Sequence, residues 1–490
     1  MPRQKHLLTK TAYLYGLICD RLFWIYQNDR ELLPEVDETT QAIFDQGHQI
    51  GNLAKSLYPG GIEIDWSSGH EAGIAQTDAV VRERKPIFEA GFQHGSTHAR
   101  ADILNPSAGR KWDLIEVKSS SKVKDEHLPD VAFQKHLYEQ AGIRINRCYV
   151  MHVDMAYVRK GEVDANKLFA REEVTSEIKT LEPDIPREIR RQLSVMAKAK
   201  PPEPVIGPEC PADCILHDEC WSFLPEHHVF SLNRAGRKAY DLMGRNILEI
   251  KEIPDGYPLT PKQKIQVACE KTGKAYLEPG QIQDFLKQLK YPLYLLDFET
   301  FMMAVPPYEQ LSPYEQVPFQ YSLHIVSSPG ARLEHYSFLS DGASDPRPEI
   351  LSQLKTQLGR KGSIVAFNAS FEMRVLKSCA WHFTAYRSWL ESILPRFVDL
   401  LVPFREFHYY HPDQGGSASL KDVLPALTKQ SYAGLEIADG QKASLRFRDM
   451  AFGNLPAAER KEIRGALEAY CNQDTEGMIG ILKALERLCQ

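Results

Sequence analysis

Residues 291–301 read YPLYLLDFETF, an apolar run that ends by presenting two acids, Asp297 and Glu299. In a strand, alternate side chains share a face, so both carboxylates are expected to project together. Two acids on one side of a buried strand repel each other and lose hydration, a cost that something cationic must offset. A divalent metal supplies that charge compactly. Its remaining ligands are expected downstream. Residues 363–376, SIVAFNASFEMRVL, predict a short strand, a polar turn at Asn368 and a helix start carrying Glu372. Residues 466–482 predict a helix on which Tyr470 and Asp474, four apart, share a face. Four acids and a tyrosine are therefore expected to converge. Carboxylate oxygens are the hard ligands magnesium prefers. Phosphodiester cleavage needs an activated water and neutralised charge on the entering and leaving oxygens, which two cations roughly 4 Å apart supply.

The segments DFET, FNASFE and YCNQD resemble, in order and spacing, the three motifs of DEDD exonucleases with a ribonuclease-H-like fold, in the variant whose third motif is Y-x3-D. The resemblance implies that Asp297, Glu299, Glu372 and Asp474 carry two magnesium or manganese ions and that Tyr470 orients the attacking water. Glu372 stands where that family usually has Asp, so this ligand reaches farther. Asp399, closing PRFVD, and the SLKDVLP segment from Ser419 resemble the intervening strand and helix.

A second centre is expected upstream. HARADILNPSAGRKWDLIEVKSSS, residues 98–120 and the serine that follows, predicts two strands joined by a polar turn, with Asp102 on the first and Glu116 and Lys118 sharing a face of the second. An inward lysine beside an inward acid calls for a negative partner, and a metal-bound phosphate is one. Gln134 and Tyr138 are co-facial on the helix VAFQKHLYEQAG. This set resembles the PD-(D/E)xK nucleases of the RecB branch. The resemblance implies Asp102 and Glu116 as metal ligands, Lys118 as the residue that positions or polarises the water, and Gln134 and Tyr138 as DNA contacts near the site. It also implies a metal-binding histidine on an upstream helix, for which His48 is selected over His70 and His94; Glu89 matches an acid that the branch carries on the preceding strand.

Cys210, Cys214 and Cys220 form a C-x3-C-x5-C arrangement after the proline-rich PPEPVIGPE. Three thiols this close bind one metal or cluster given a fourth ligand, and Cys19 is the candidate. The layout resembles the iron-sulfur clasp of RecB-like nucleases, which implies a [4Fe-4S] cluster; zinc is the rival, since thiolates suit both. The late trio of that clasp usually has two residues in its first gap, where this chain has three. Cys148, Cys269, Cys379, Cys471 and Cys489 show no ligand spacing and read as packing residues.

With 490 residues, 43% apolar and 25% charged, the chain reads as an ordinary globular protein of two or three domains. The apolar stretch TAYLYGLICDRLFWIYQ is broken by Asp20 and Arg21, which argues against a membrane span and a secretory signal, so a cytoplasmic location is expected. Nine cysteines in that setting are not a disulfide framework. A net charge of −6 excludes a domain that merely coats nucleic acid, although site carboxylates are counted there without their cations. Basic residues gather at 118–124 and 187–200, either as a path for a phosphate backbone or as solvated faces. The chain lacks a G-x4-G-K-[ST] loop, so any unwinding is assigned to a separate helicase partner.

The expected class is α/β: a PD-(D/E)xK restriction-endonuclease-like domain over residues 1–225, a helical bridge or plain linker over 226–290, and a ribonuclease-H-like domain over 291–490. The whole order resembles bacterial RecB-like proteins fused to an exonuclease-like module. It implies a metal-dependent nuclease acting on single strands or ends in repair or defence, with DNA favoured and RNA possible. The rivals are a nuclease with only one active centre and a non-enzymatic nucleic-acid-binding adaptor.

Overall fold

The computed structural model describes residues 7–490, which form a mixed α/β protein. The chain divides into two compact units. One runs to Ser222 and includes Met303–Tyr314; the other holds Phe223–Met302 and Glu315–Gln490. Residues 226–290, expected to bridge two domains, fold as part of the second unit, and a segment expected within the last domain belongs to the first. The reason is where apolar side chains find cover. Val229, Leu242, Ile250 and Val267 make a small core of their own, and Ala304 packs against Ile50, Val153, Tyr157 and Leu168 of the first unit.

The first unit is built on a seven-stranded mixed sheet. Strands β1 (Ile87–His94), β2 (Thr97–Pro106) and β3 (Trp112–Lys118) form an antiparallel meander. Helix α1 (His127–Gln140) then crosses over to β4 (Ile145–Val153), which lies parallel to β3. A two-residue strand, Leu8–Thr9, runs parallel to β2 and feeds directly into a helix over Lys10–Ile18. Another helix, Ile185–Met196, returns across this start. It comes so near that a Cβ on Gly16 would lie 2.3 Å from the Gln192 side chain. Gln192 donates to the Tyr13 carbonyl (3.0 Å) and Arg191 pairs with Asp20, so the basic segment at 187–200 is partly spent on internal ties. Tyr13, Phe23, Phe133 and Leu137 are among the buried side chains of this core.

The second unit centres on β5 (Leu293–Phe301), the strand that carries Asp297 and Glu299. It pairs antiparallel with β6 (Val317–Val326), which pairs antiparallel with β7 (Leu333–Leu339). On its other edge β5 is parallel to β8 (Ser363–Ala366), and β8 to β9 (Phe397–Asp399). Two kinds of cover explain why the strand is apolar almost throughout. Tyr294, Leu296 and Phe298 pack among Ile350, Leu354 and Leu376. Phe301, in the alternate set of side chains, meets Phe447, and the neighbouring strand is tied to α2 (Ala457–Leu488) by Gln320, whose Nε2 donates to the Leu467 carbonyl (2.9 Å). No helix among the described residues is long and apolar enough to cross a membrane.

Candidate active sites

In the second unit the pleat of β5 aims Asp297 and Glu299 to one side, as expected, and α2 lies there with Asp474 turned inward. Ligand oxygens of Asp297, Glu299 and Asp474 lie within 4.8 Å of one another, the one such group of three or more among the described residues. Glu372 joins them electrostatically from the first turn of a helix over Ala369–His382. That helix starts three residues after β8. The turn is made by Asn368 in the left-handed region (φ 73°), and the exposed amides are capped by Asp399, whose Oδ1 accepts from Asn368 N (3.0 Å) and Ala369 N (3.3 Å). Asp399 thus serves as the anchor of the Glu372 helix.

These acids lack adequate counter-charge. Burial, followed by repulsion from Asp474, pushes the Asp297 and Glu299 carboxyls well above their usual range. Burial carries Asp474 to about 6, opposed by a hydrogen bond from the Tyr432 hydroxyl and by Lys421. Glu372, 2% exposed, is pushed by burial to about 8, and its Oε2 has no hydrogen-bond partner. Glu372 lies outside the close group of three; the crowded, buried carboxylates of that group suit a hard divalent cation. Tyr470 lies beside Tyr432 (ring centroids 6.1 Å apart), and burial and the adjoining carboxylates hold its phenol strongly protonated. Cys471, expected only to pack, directs its Sγ toward Asp297 Oδ2 at 3.9 Å.

The first unit brings Asp102, Glu116, Lys118 and Gln134 together, but in a different electrostatic state. Glu116 Oε1 accepts from Lys118 (2.7 Å) and from Lys10 (2.8 Å), and Oε2 accepts from Gln134 (2.7 Å). Asp130 accepts from Lys118 (2.7 Å) and Gln134 (2.9 Å), with Lys10 at 3.7 Å. Burial alone would raise the Glu116 carboxyl; Lys10 and Lys118 outweigh it and hold it below the usual range. Asp102, whose Oδ2 accepts from Val117 N (2.7 Å), is carried by burial and by the Glu116 charge to about 7. Gln134 Oε1 is buried without a partner.

Two expected members stand elsewhere. His48 is exposed on a helix over Glu38–Lys55 and belongs to no close group of three ligands. The Tyr138 hydroxyl is fully buried and donates to the Ala90 carbonyl (2.8 Å), which ties the crossover helix to β1. Of the alternatives, His70 holds Gln93 (2.8 Å) and stacks edge-on to His98, and Glu89 pairs with Lys55 (3.1 Å). Four members were missed. Asp130 carried a readable signal, because Asp130, Gln134 and Tyr138 repeat at the four-residue helical spacing. Lys10 and Lys421 are single lysines in helix-opening segments, and Tyr432 lies in a loop with no periodicity to mark it.

Cys19, Cys210, Cys214 and Cys220 all line one cavity of about 410 Å³. Cys19 arrives at the end of the Lys10–Ile18 helix, and Arg21 ties this corner to the late segment by donating to the Pro202 carbonyl (3.0 Å) and pairing with Glu219. No three of the four sulfurs lie within 4.8 Å of one another. A zinc tetrahedron with bonds of about 2.3 Å would require them at roughly 3.8 Å from one another.

Residues 294–419 match a family described as a domain of unknown function (DUF2779). The match spans Asp297, Glu299 and Glu372 and stops short of Tyr470 and Asp474. Comparison with curated proteins returns no match.

Proposed function

We propose that this protein is a metal-dependent nuclease that hydrolyses phosphodiester bonds, with its principal centre at Asp297, Glu299, Glu372 and Asp474. The observation that carries the reading is the close grouping of Asp297, Glu299 and Asp474 at a strand end where side-chain cations do not balance them, with Glu372, whose buried Oε2 has no partner, acting on them electrostatically. The order of the second sheet, three antiparallel strands followed by two parallel ones, supports a ribonuclease-H-like fold, and the meander with a crossover helix supports a PD-(D/E)xK fold in the first unit. Magnesium or manganese bound by these acids would lower the pKa of water and neutralise charge on the scissile phosphate. The protein's own groups supply the rest. Tyr432 fixes the orientation of Asp474, Lys421 offsets part of the carboxylate charge, and Tyr470 keeps its proton and can donate to a water or phosphate oxygen. In the first unit, Asp102 and Glu116 would hold a cation, with Lys118 and Gln134 positioned beside them. The four cysteines would hold a [4Fe-4S] cluster joining the start of the first unit to its end.

Single-stranded DNA is the favoured substrate, and a cytoplasmic location is part of the same proposal. Labelled single-stranded, duplex and RNA oligonucleotides incubated with Mg²⁺ or Mn²⁺ test the reading. Asp297→Asn is expected to abolish stepwise trimming, and Glu116→Ala to remove what the first centre contributes. Binding that survives EDTA with no product under any metal would establish an adaptor instead.

A further inference from the structure

The first unit's acids differ from those of the second in one respect that the nuclease reading does not use: they bring their own cations. Asp102, Glu116 and Asp130 gather about Lys10 and Lys118, three carboxyls to two ammoniums. Lys118 was expected there from its strand spacing; Lys10 comes from the opposite end of the unit. It heads the Lys10–Ile18 helix, immediately after the Leu8–Thr9 strand that runs alongside β2, the strand carrying Asp102. Thr9 caps that helix, its Oγ1 accepting from Ala12 N (3.3 Å). Strand pairing and cap together fix where the Lys10 side chain starts, and its ammonium ends 2.8 Å from Glu116 Oε1.

We propose, resting on the reading of this centre as a metal site, that Lys10 is its built-in counter-charge and takes the place of a second divalent cation, so that the centre binds one ion only. The ligand inventory carries the assignment. Glu116 Oε1 already accepts from both lysines and Oε2 from Gln134, whereas Asp102 accepts from Val117 N and makes no ion pair among the described residues. Glu116 therefore has little left to offer a second ion, and Asp102 is the ligand still open. Removing Lys10 would free Glu116 Oε1 of one of its two ammoniums and open it to a second ion. Lys10 acts through Glu116 and Asp130 as a positioning residue, and it holds them together before any ion arrives.

The test counts ions. In the full chain, the second centre is disabled by Asp297→Asn, Glu299→Gln and Asp474→Asn, and Mn²⁺ is titrated while the free ion is followed by electron paramagnetic resonance. One Mn²⁺ per chain is expected at the first centre. Adding Lys10→Met is expected to admit a second Mn²⁺, and adding Lys10→Arg, which keeps the charge, to leave the count at one. Two ions bound with Lys10 in place, or one ion in a folded Lys10→Met protein, would overturn the assignment while leaving the metal reading intact. No Mn²⁺ bound with Lys10 in place would instead overturn the metal reading of this centre, and the assignment with it. If Lys10→Met does not fold, the count with Lys10 present still decides between one ion and two.

Discussion

Glu372→Gln removes a charge that folding must bury, and its effect on stability follows from the surroundings of the carboxyl. Glu372 is 2% exposed, its Oε2 is unpartnered, and burial moves it from 4.5 to about 8. The unfolded chain releases this proton near pH 4.5 and the folded chain keeps it until about 8, so metal-free stability is full below the lower value and falls as pH rises toward the upper one. At 1.36 kcal/mol per pH unit, the loss is below about 1 kcal/mol at pH 5 and reaches about 4 kcal/mol at pH 8. Glutamine cannot ionise and escapes it. In EDTA, urea unfolding at pH 8 should find Glu372→Gln more stable than the wild type by about 4 kcal/mol, with the advantage shrinking to under about 1 kcal/mol at pH 5. In thermal melts the pH 8 gain should exceed about 8 °C, at roughly 2–4 °C per kcal/mol for a unit of 150–250 residues. Mn²⁺ should raise the melting temperature of the wild type at pH 8 far more than that of the variant, because the ion compensates the charge that the variant lacks. A variant with the same advantage at both pH values, or with none at pH 8, would refute the claim that this carboxylate is held uncompensated for a cation.

Two further outcomes follow from the same geometry. Tyr432→Phe removes the hydroxyl that holds Asp474 Oδ1; oligonucleotide trimming should fall by about tenfold or more, and extra Mn²⁺ should partly restore it, since the lost contact orients a ligand and does not touch the reacting atoms. Cys19→Ser removes the only distant thiol of the four that share one cavity. Anaerobically purified variant should lose the brown colour and iron expected of the wild type, and its first unit should unfold at lower temperature; a colourless, zinc-rich wild type would overturn the cluster assignment.

The acidic cluster of the second unit was readable because its residues obey local periodicities. Asp297 and Glu299 alternate on a strand, and Tyr470 and Asp474 are a helical turn apart, so each pair follows from backbone geometry alone. Glu372 was readable because its strand, turn and helix start lie within a few residues of one another. Tyr432 was not, since a loop residue reaches its site through a path that no spacing encodes. In the first unit, the meander and crossover helix place Asp102, Glu116, Lys118 and Gln134 as their patterns suggest. Lys10 escaped notice because its position depends on pairing between residues about ninety apart, Leu8 with Thr97. His48 sits on an amphipathic helix whose outward face it occupies, and helical spacing alone could not say which face turns toward the acids. That the helical stretch before Tyr291 groups with the second unit was not legible for a related reason: periodicity identifies helices, while the apolar partners that decide their allegiance are not encoded in it.

The short excursion at Met303–Tyr314 has a practical consequence. The polypeptide passes from one unit to the other after Ser222, after Met302 and after Tyr314. No single cut therefore yields two intact halves. A gene truncated after Ser222 would encode a first half without Ala304, which covers Ile50, Val153 and Tyr157, and without Pro306 and Pro307, whose carbonyls receive Arg159 (2.8 and 2.7 Å). Testing the proposed activities by truncation would thus expose apolar surface and strand a guanidinium in the very fragment under study, so point substitution is the sounder route to testing each proposed centre.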